Sequence, residues 1–131
     1  MKSDEFLPIL KVRPADVAAL VLMVGDPARA EQAAKLLDEA AQVGANREYI
    51  TFTGHLGDER ITICFHGVGR AKRGFVLKNW RGLERAPLSA GTCGSLHDDI
   101  ADGDLVISTG AVREEGLNPA DLSLVPGPGS L

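Results

Sequence analysis

The chain has 131 residues, 44% of them hydrophobic and 24% charged, with a formal net charge of −4 at pH 7. That size and apolar share suit one globular domain with a real core, and the acidic balance argues against a dedicated nucleic-acid binder. No apolar run is long enough to span a bilayer. The start, Met-Lys-Ser-Asp-Glu, lacks the apolar stretch of a secretory signal, so no membrane partner is expected and the cytoplasm is the expected compartment. Cys64 and Cys93 form no CxxC pair and read as reduced thiols, while His55, His66 and His97 lack ligand spacing, so no metal is expected.

Residues 1–19 carry Pro8 and Pro14 and read as an entry segment. Residues 20–24 form a short continuous apolar run, the pattern of a buried parallel strand. Gly25 then permits a turn, Asp26 is a good helix N-cap and Pro27 suits the first helical position. The spacing predicts a helix from there to about Ala41, with Ala30, Ala33, Ala34, Leu37 and Ala41 on one face. Residues 48–53 alternate as a strand, GHLGDE is a turn and residues 60–65 are a second strand, so 48–65 reads as a hairpin. Residues 104–109 read as another strand, entered through an Asp102-Gly103 turn. From Asn118 the tail NPADLSLVPGPGSL loses all pattern and contributes little core. Strands alternating with a helix, and glycine loops at strand ends, predict an α/β fold with a mixed central sheet flanked by helices.

Three small-residue loops carry the chemistry. In Gly25-Asp26-Pro27-Ala28-Arg29, the N–H groups of a helix start favour an anion, and Arg29 adds a planar, permanently charged fork suited to phosphate oxygens. The same pattern is also that of a capped surface helix with a solvated arginine. Gly67-Val68-Gly69 lacks the third glycine and the downstream acid of a dinucleotide fingerprint, so no dinucleotide is expected. Gly91-Thr92-Cys93-Gly94-Ser95 offers hydroxyls and N–H groups to an oxyanion; no base stands near Cys93 in sequence to make it a nucleophile.

Taken together, "VLMVGDPARA", "NREYITFTG", "HGVG" and "GTCGSLHDDIADGDLVISTGAVREEG" resemble the nucleoside phosphorylase family of uridine phosphorylases and hexameric purine nucleoside phosphorylases. The resemblance covers about residues 8–69 and 91–116, and only the N-terminal half of a typical member is represented. It implies a truncated nucleoside-phosphorylase-like fold and phosphorolysis: inorganic phosphate, as co-substrate, attacks C1′ of a uridine or purine nucleoside, releasing free base and ribose 1-phosphate with no cofactor. By the same resemblance Gly25, Arg29 and Thr92 hold phosphate, and Arg47 of "NREY" reaches the phosphate of a neighbouring subunit in a dimer-based homo-oligomer, a hexamer in the family. No catalytic residue is singled out.

Two stretches depart from that pattern. In residues 70–90 the family's Gly-Pro-Ser start, amphipathic helix and strand ending in arginine are missing, and Ser89 stands where that arginine belongs. The stretch instead carries Arg70, Lys72, Arg73, Lys78, Arg81 and Arg85 against Glu84, a solvated helix or a basic patch by composition. Read one base out of phase, with permitted codons, residues 69–90 can encode PSEAGLRAQELAGLGARTVIR. The aberrant segment 70–90 is therefore expected to be a compensated double frameshift, and the unpatterned tail 118–131 a further one. The expectation is a single incomplete domain over residues 1–131 that retains part of a phosphate site but turns over nucleosides poorly. The alternative is a non-catalytic remnant that binds phosphate or pairs with a full-length homologue.

Overall fold

The computed structural model describes residues 5–67, 69, 74, 76–78 and 85–110. The chain forms two compact units, Met1–Thr92 and Cys93–Leu131. Among the described residues, the first holds a 3-10 turn Pro14–Asp16, β1 (Leu20–Val24), α1 (Pro27–Ala34), β2 (Asp38–Asn46), β3 (Tyr49–Leu56), β4 (Glu59–Phe65) and β5 (Ala86–Ala90). The strands form one mixed sheet in the order β2-β3-β4-β1-β5. β1 pairs in parallel with both β4 and β5, while β2, β3 and β4 are joined antiparallel.

The continuous apolar run of β1 is explained by burial on both faces. Val21 and Met23 face a cluster with Leu7, Leu10, Val12, Val17, Tyr49, Cys64 and Val76. Val24 and Leu22 face the other, where Ala30 and Ala34 of α1 meet Ile63 and Phe65. β4 splits the same way along its period-2 alternation, Ile61, Ile63 and Phe65 toward α1 and Thr62 and Cys64 toward the N-terminal segment. The entry segment is therefore a covering layer of the sheet.

A hydrogen-bonded chain pins that layer. Ala18 donates its N–H to Thr62 Oγ1 at 2.8 Å, and Thr53 Oγ1 donates to the Asp16 carbonyl at 2.9 Å. The two hydroxyls lie 2.8 Å apart, so Thr62 must be the donor to Thr53. Arg60 reinforces the turn from outside, its guanidinium donating to the carbonyls of Ala15 and Asp16.

Three sequence expectations change. The helix stops at Ala34, and its predicted last turns are the strand β2. Leu36 and Leu37 close onto the carbonyls of Ala33 and Ala34 at 3.1 Å, a tight final turn, and the chain then reverses to pair with β3. Ala41 therefore lies on an exposed strand opposite Thr53, not on a helix face. The good helix formers of residues 35–42 are overruled by a partner strand far along the sequence. Second, the hairpin turn is tighter than predicted: Leu56 pairs with Glu59 around Gly57, whose φ is +60°, and Asp58. Third, a strand does precede the Gly91 loop, because residues 86–90 pair with β1 in register. The rest of the aberrant segment is described only at positions 74, 76–78 and 85. The tail 118–131 lies outside the described residues.

In the second unit, residues 93–110 form local turns. Ser95 Oγ both accepts the His97 N–H at 3.0 Å and donates to the His97 carbonyl at 2.8 Å. The expected Asp102-Gly103 turn is present, closed by Asp104 N–H to the Ala101 carbonyl at 3.1 Å, with Gly103 at φ +95°. Residues 104–109, however, pair with no strand among the described residues, and Leu105, Val106 and Ile107 are exposed. An apolar run without a partner leaves its backbone groups to water.

Candidate functional site

β1, β4 and β5 run parallel, so the loops that follow them emerge at one end of the sheet. This carboxyl end is where open α/β sheets hold ligands. Three of the sequence-selected features meet there: Gly25 after β1, Gly67 and Gly69 after β4, and Gly91-Thr92 after β5.

Asp26 caps α1 as expected: its Oδ1 accepts the Ala28 N–H at 2.8 Å, and its carbonyl accepts the Ala30 N–H at 3.2 Å. The Ala28 and Ala30 N–H groups are thus held within the cap, and Pro27 has none. The positive charge left at this end is Arg29. Its Nε stands 3.9 Å from Asp26 Oδ2, with both side chains about half exposed, a pair too solvated to hold the guanidinium firmly.

Arg29 and Thr92 are brought together. Arg29 Nη2 lies 3.5 Å from Thr92 Oγ1 across 63 positions of sequence, because Val24 and Ala90 are register partners and the loops after them are neighbours. At this length the contact is weak, and both groups keep capacity for a further acceptor. Gly25 is beside them, next to His66. A Cβ built at Gly25 would meet His66 Cε1 at 3.8 Å and the Gly67 carbonyl at 3.9 Å, both ordinary contacts. Packing does not demand glycine there, and its φ is not in the left-handed region. By contrast Gly67 and Gly69 sit at φ +76° and +103°, where a side chain is strained.

Arg47 is not brought to Arg29 and Thr92. It occupies the two-residue turn between β2 and β3, exposed, at φ +55°. Because Ile50 pairs with Phe65, this turn lies at the same end of the sheet as the other loops. Two strands separate β2 from β1, so the lateral distance is on the order of 10 Å or more. Ser95, one of the hydroxyls of the third loop, is taken up locally by His97.

His66 went unselected in the sequence. It is buried at the end of β4, its N–H donating to the Val24 carbonyl at 3.1 Å, and its ring borders Gly25. The apolar strand running directly into "HGVG" was the signal for it. Cys64, one turn of the pleat away, is held as a neutral thiol: burial pushes its pKa up to about 12, opposed by a hydrogen bond from Thr51. It faces the N-terminal cluster rather than the loops and takes no part in the site.

The sheet, the cap and the Arg29–Thr92 pair together define an α/β protein with an anion-suited loop cluster. The family model described as "Phosphorylase superfamily" matches residues 19–129, and the chain belongs to that family. The match runs through the segment 70–90 that the sequence pattern set apart. A guanosine phosphorylase of Halorubrum lacusprofundi is 36% identical over 113 residues, covering 85% of this chain and 46% of its own length. A uridine phosphorylase of Treponema pallidum is 32% identical over 120 residues, covering 88% and 46%. Among solved structures, a purine nucleoside phosphorylase of Toxoplasma gondii in complex with immucillin-H superposes with a TM-score of 0.79 at 32% identity, over 98% of this chain and 51% of that one. The uridine phosphorylase of Vibrio fischeri gives 0.77 at 29% identity, over 88% and 49%. The chain thus spans about half the length of the relatives it matches.

Proposed function

We propose that this chain carries the phosphate-holding part of a nucleoside phosphorylase, an enzyme that splits a uridine or purine nucleoside with inorganic phosphate. The observation that supports it is the convergence of Arg29 and Thr92, 3.5 Å apart, beside Gly25 at the carboxyl end of the sheet. In the proposed reaction a phosphate oxygen bonds to C1′ as the C1′–N bond breaks. The bonding electrons leave with the base, which takes up a proton, and the sugar becomes ribose 1-phosphate. The Arg29 fork and the Thr92 hydroxyl orient phosphate for that attack and offset its charge. Gly25 leaves room for the phosphate, a use consistent with its freedom from packing or backbone demands. Arg47, set apart on its hairpin, serves the site of a second copy in a dimer-based assembly. Inorganic phosphate is the co-substrate, no cofactor takes part, and the cytoplasm is the compartment.

Residues 1–131 by themselves bind phosphate but release little base, a reading favoured by the half-length coverage of every relative named above. Calorimetric titration with phosphate, paired with base-release assays on uridine, inosine and guanosine, tests both parts. Arg29→Ala removes charge-assisted hydrogen bonds worth about 1.5–3 kcal/mol, a loss of roughly 10- to 150-fold in affinity. Unchanged phosphate binding in Arg29→Ala refutes the site. Brisk phosphate-dependent base release by the wild-type chain refutes the inactivity and leaves the site standing.

A further inference from the structure

His66 closes the ladder between β1 and β4. Val24 pairs with Phe65, and one residue later the His66 N–H donates to the Val24 carbonyl at 3.1 Å. That bond also sets the next donor of β1. The Val24 carbonyl and the Gly25 N–H belong to one trans peptide, in which they point opposite ways. β1 lies between β4 and β5, so a carbonyl turned to β4 turns the Gly25 N–H toward the β5 side. There the pairing of β1 with β5 ends at Val24 and Ala90, and Gly91-Thr92 follows, with Arg29 Nη2 at 3.5 Å from Thr92 Oγ1. The Gly25 N–H therefore leaves the ladder on the side where Arg29 and Thr92 meet.

Glycine by itself holds such an orientation poorly, because its backbone has the most freedom to lose. The His66 ring supplies the packing that Gly25 lacks. Met23 and Cys64 face the N-terminal cluster, and the period-2 alternation puts Gly25 and His66 next on that face. His66 is buried, and its Cε1 lies 3.8 Å from the place a Gly25 Cβ would take, so the imidazole covers the bare glycine from the neighbouring strand. We propose that His66 is a positioning residue of the phosphate site: its ring keeps the end of the β1–β4 ladder closed over Gly25 and so keeps the Gly25 N–H aimed at phosphate. The ring acts on the loop and not on the anion. This role rests on the phosphate reading given above.

Calorimetric titration of folded variants with inorganic phosphate tests it. His66→Ala keeps the backbone donor and removes the ring. A misdirected Gly25 N–H forfeits part of a charge-assisted bond, so phosphate should bind about tenfold more weakly, equivalent to roughly 1.4 kcal/mol. His66→Gln, which refills much of the space, should recover most of that loss. Thr62→Val, which weakens the same layer of the sheet away from the ladder's end, should bind phosphate as the wild type does. If His66→Ala binds as tightly as wild type while Arg29→Ala binds weakly, the positioning role is overturned and the phosphate site stands. If Arg29→Ala is unchanged, the site fails and the role fails with it. An equal loss in His66→Ala and Thr62→Val reports general loosening and also overturns the role. Where His66→Ala does not fold, an NMR titration of the wild-type chain decides: the Gly25 amide and His66 Cε1–H signals should shift along one saturation curve with phosphate. A His66 signal that stays still while Gly25 moves overturns the proposal.

Discussion

Thr62→Val is the sharpest test of how the N-terminal layer is fastened to the sheet that carries the site. Thr62 is wholly buried, and Ala18, whose N–H it accepts at 2.8 Å, is 2% exposed. Valine keeps the shape and removes the acceptor, leaving a buried N–H without a partner at a cost of about 1–3 kcal/mol. The added methyl returns at most about 0.8 kcal/mol of apolar burial. The expected net loss is therefore about 1–2 kcal/mol, read as a lower urea midpoint at unchanged slope. Thr53→Val should cost less. The Asp16 carbonyl that Thr53 serves is also held by Arg60 Nη2 at 3.0 Å, so only the Thr62 hydroxyl proton loses its acceptor. The double variant should cost less than the sum of the two, since both changes act on one chain of bonds. A Thr62→Val midpoint within about 0.5 kcal/mol of wild type, or a larger loss for Thr53→Val, refutes the assigned direction of the chain.

Gly54→Ala should destabilise by about 1–3 kcal/mol, because the new Cβ would stand 2.9 Å from the Asp38 carbonyl and 3.0 Å from Ala40 Cα, both backbone; a wild-type melting temperature counts against this packing. Asp26→Ala should cost about 1 kcal/mol through the lost cap, and Asp26→Asn, which keeps the acceptor for the Ala28 N–H, much less in the same melt. A thiol reagent near neutral pH should label exposed Cys93 in the native chain and Cys64 only after unfolding, so mass spectrometry finding both labelled natively contradicts the burial. The Cys64 pKa is higher folded, at about 12, than the ordinary 9.0, so the unfolded chain ionises first and stability falls as pH rises from about 9 toward 12. Cys64→Ser should flatten that alkaline limb of the stability curve.

What the sequence by itself determined is local. The apolar run of residues 20–24 has the pattern of a buried parallel strand, and Asp26 and Pro27 announce a helix start by chemistry confined to a few neighbouring residues. The hairpin of β3 and β4 was legible for the same reason, alternation on each side of a glycine turn. The candidate loops could be picked out because glycine, arginine and threonine at strand ends suit an anion, although the same residues also suit an ordinary helix cap. What only the tertiary structure decided is non-local. Residues 38–46 have helix-forming composition and become a strand because β3 offers them a ladder. Residues 86–90 carry almost no strand signal and are a strand because β1 has an open side. The Arg29–Thr92 contact depends on the Val24 and Ala90 register, and the capture of the Ala28 N–H by the Asp26 carboxylate depends on its rotamer. Propensity acts over a turn of chain, whereas pairing and register are settled between segments that sequence order keeps far apart.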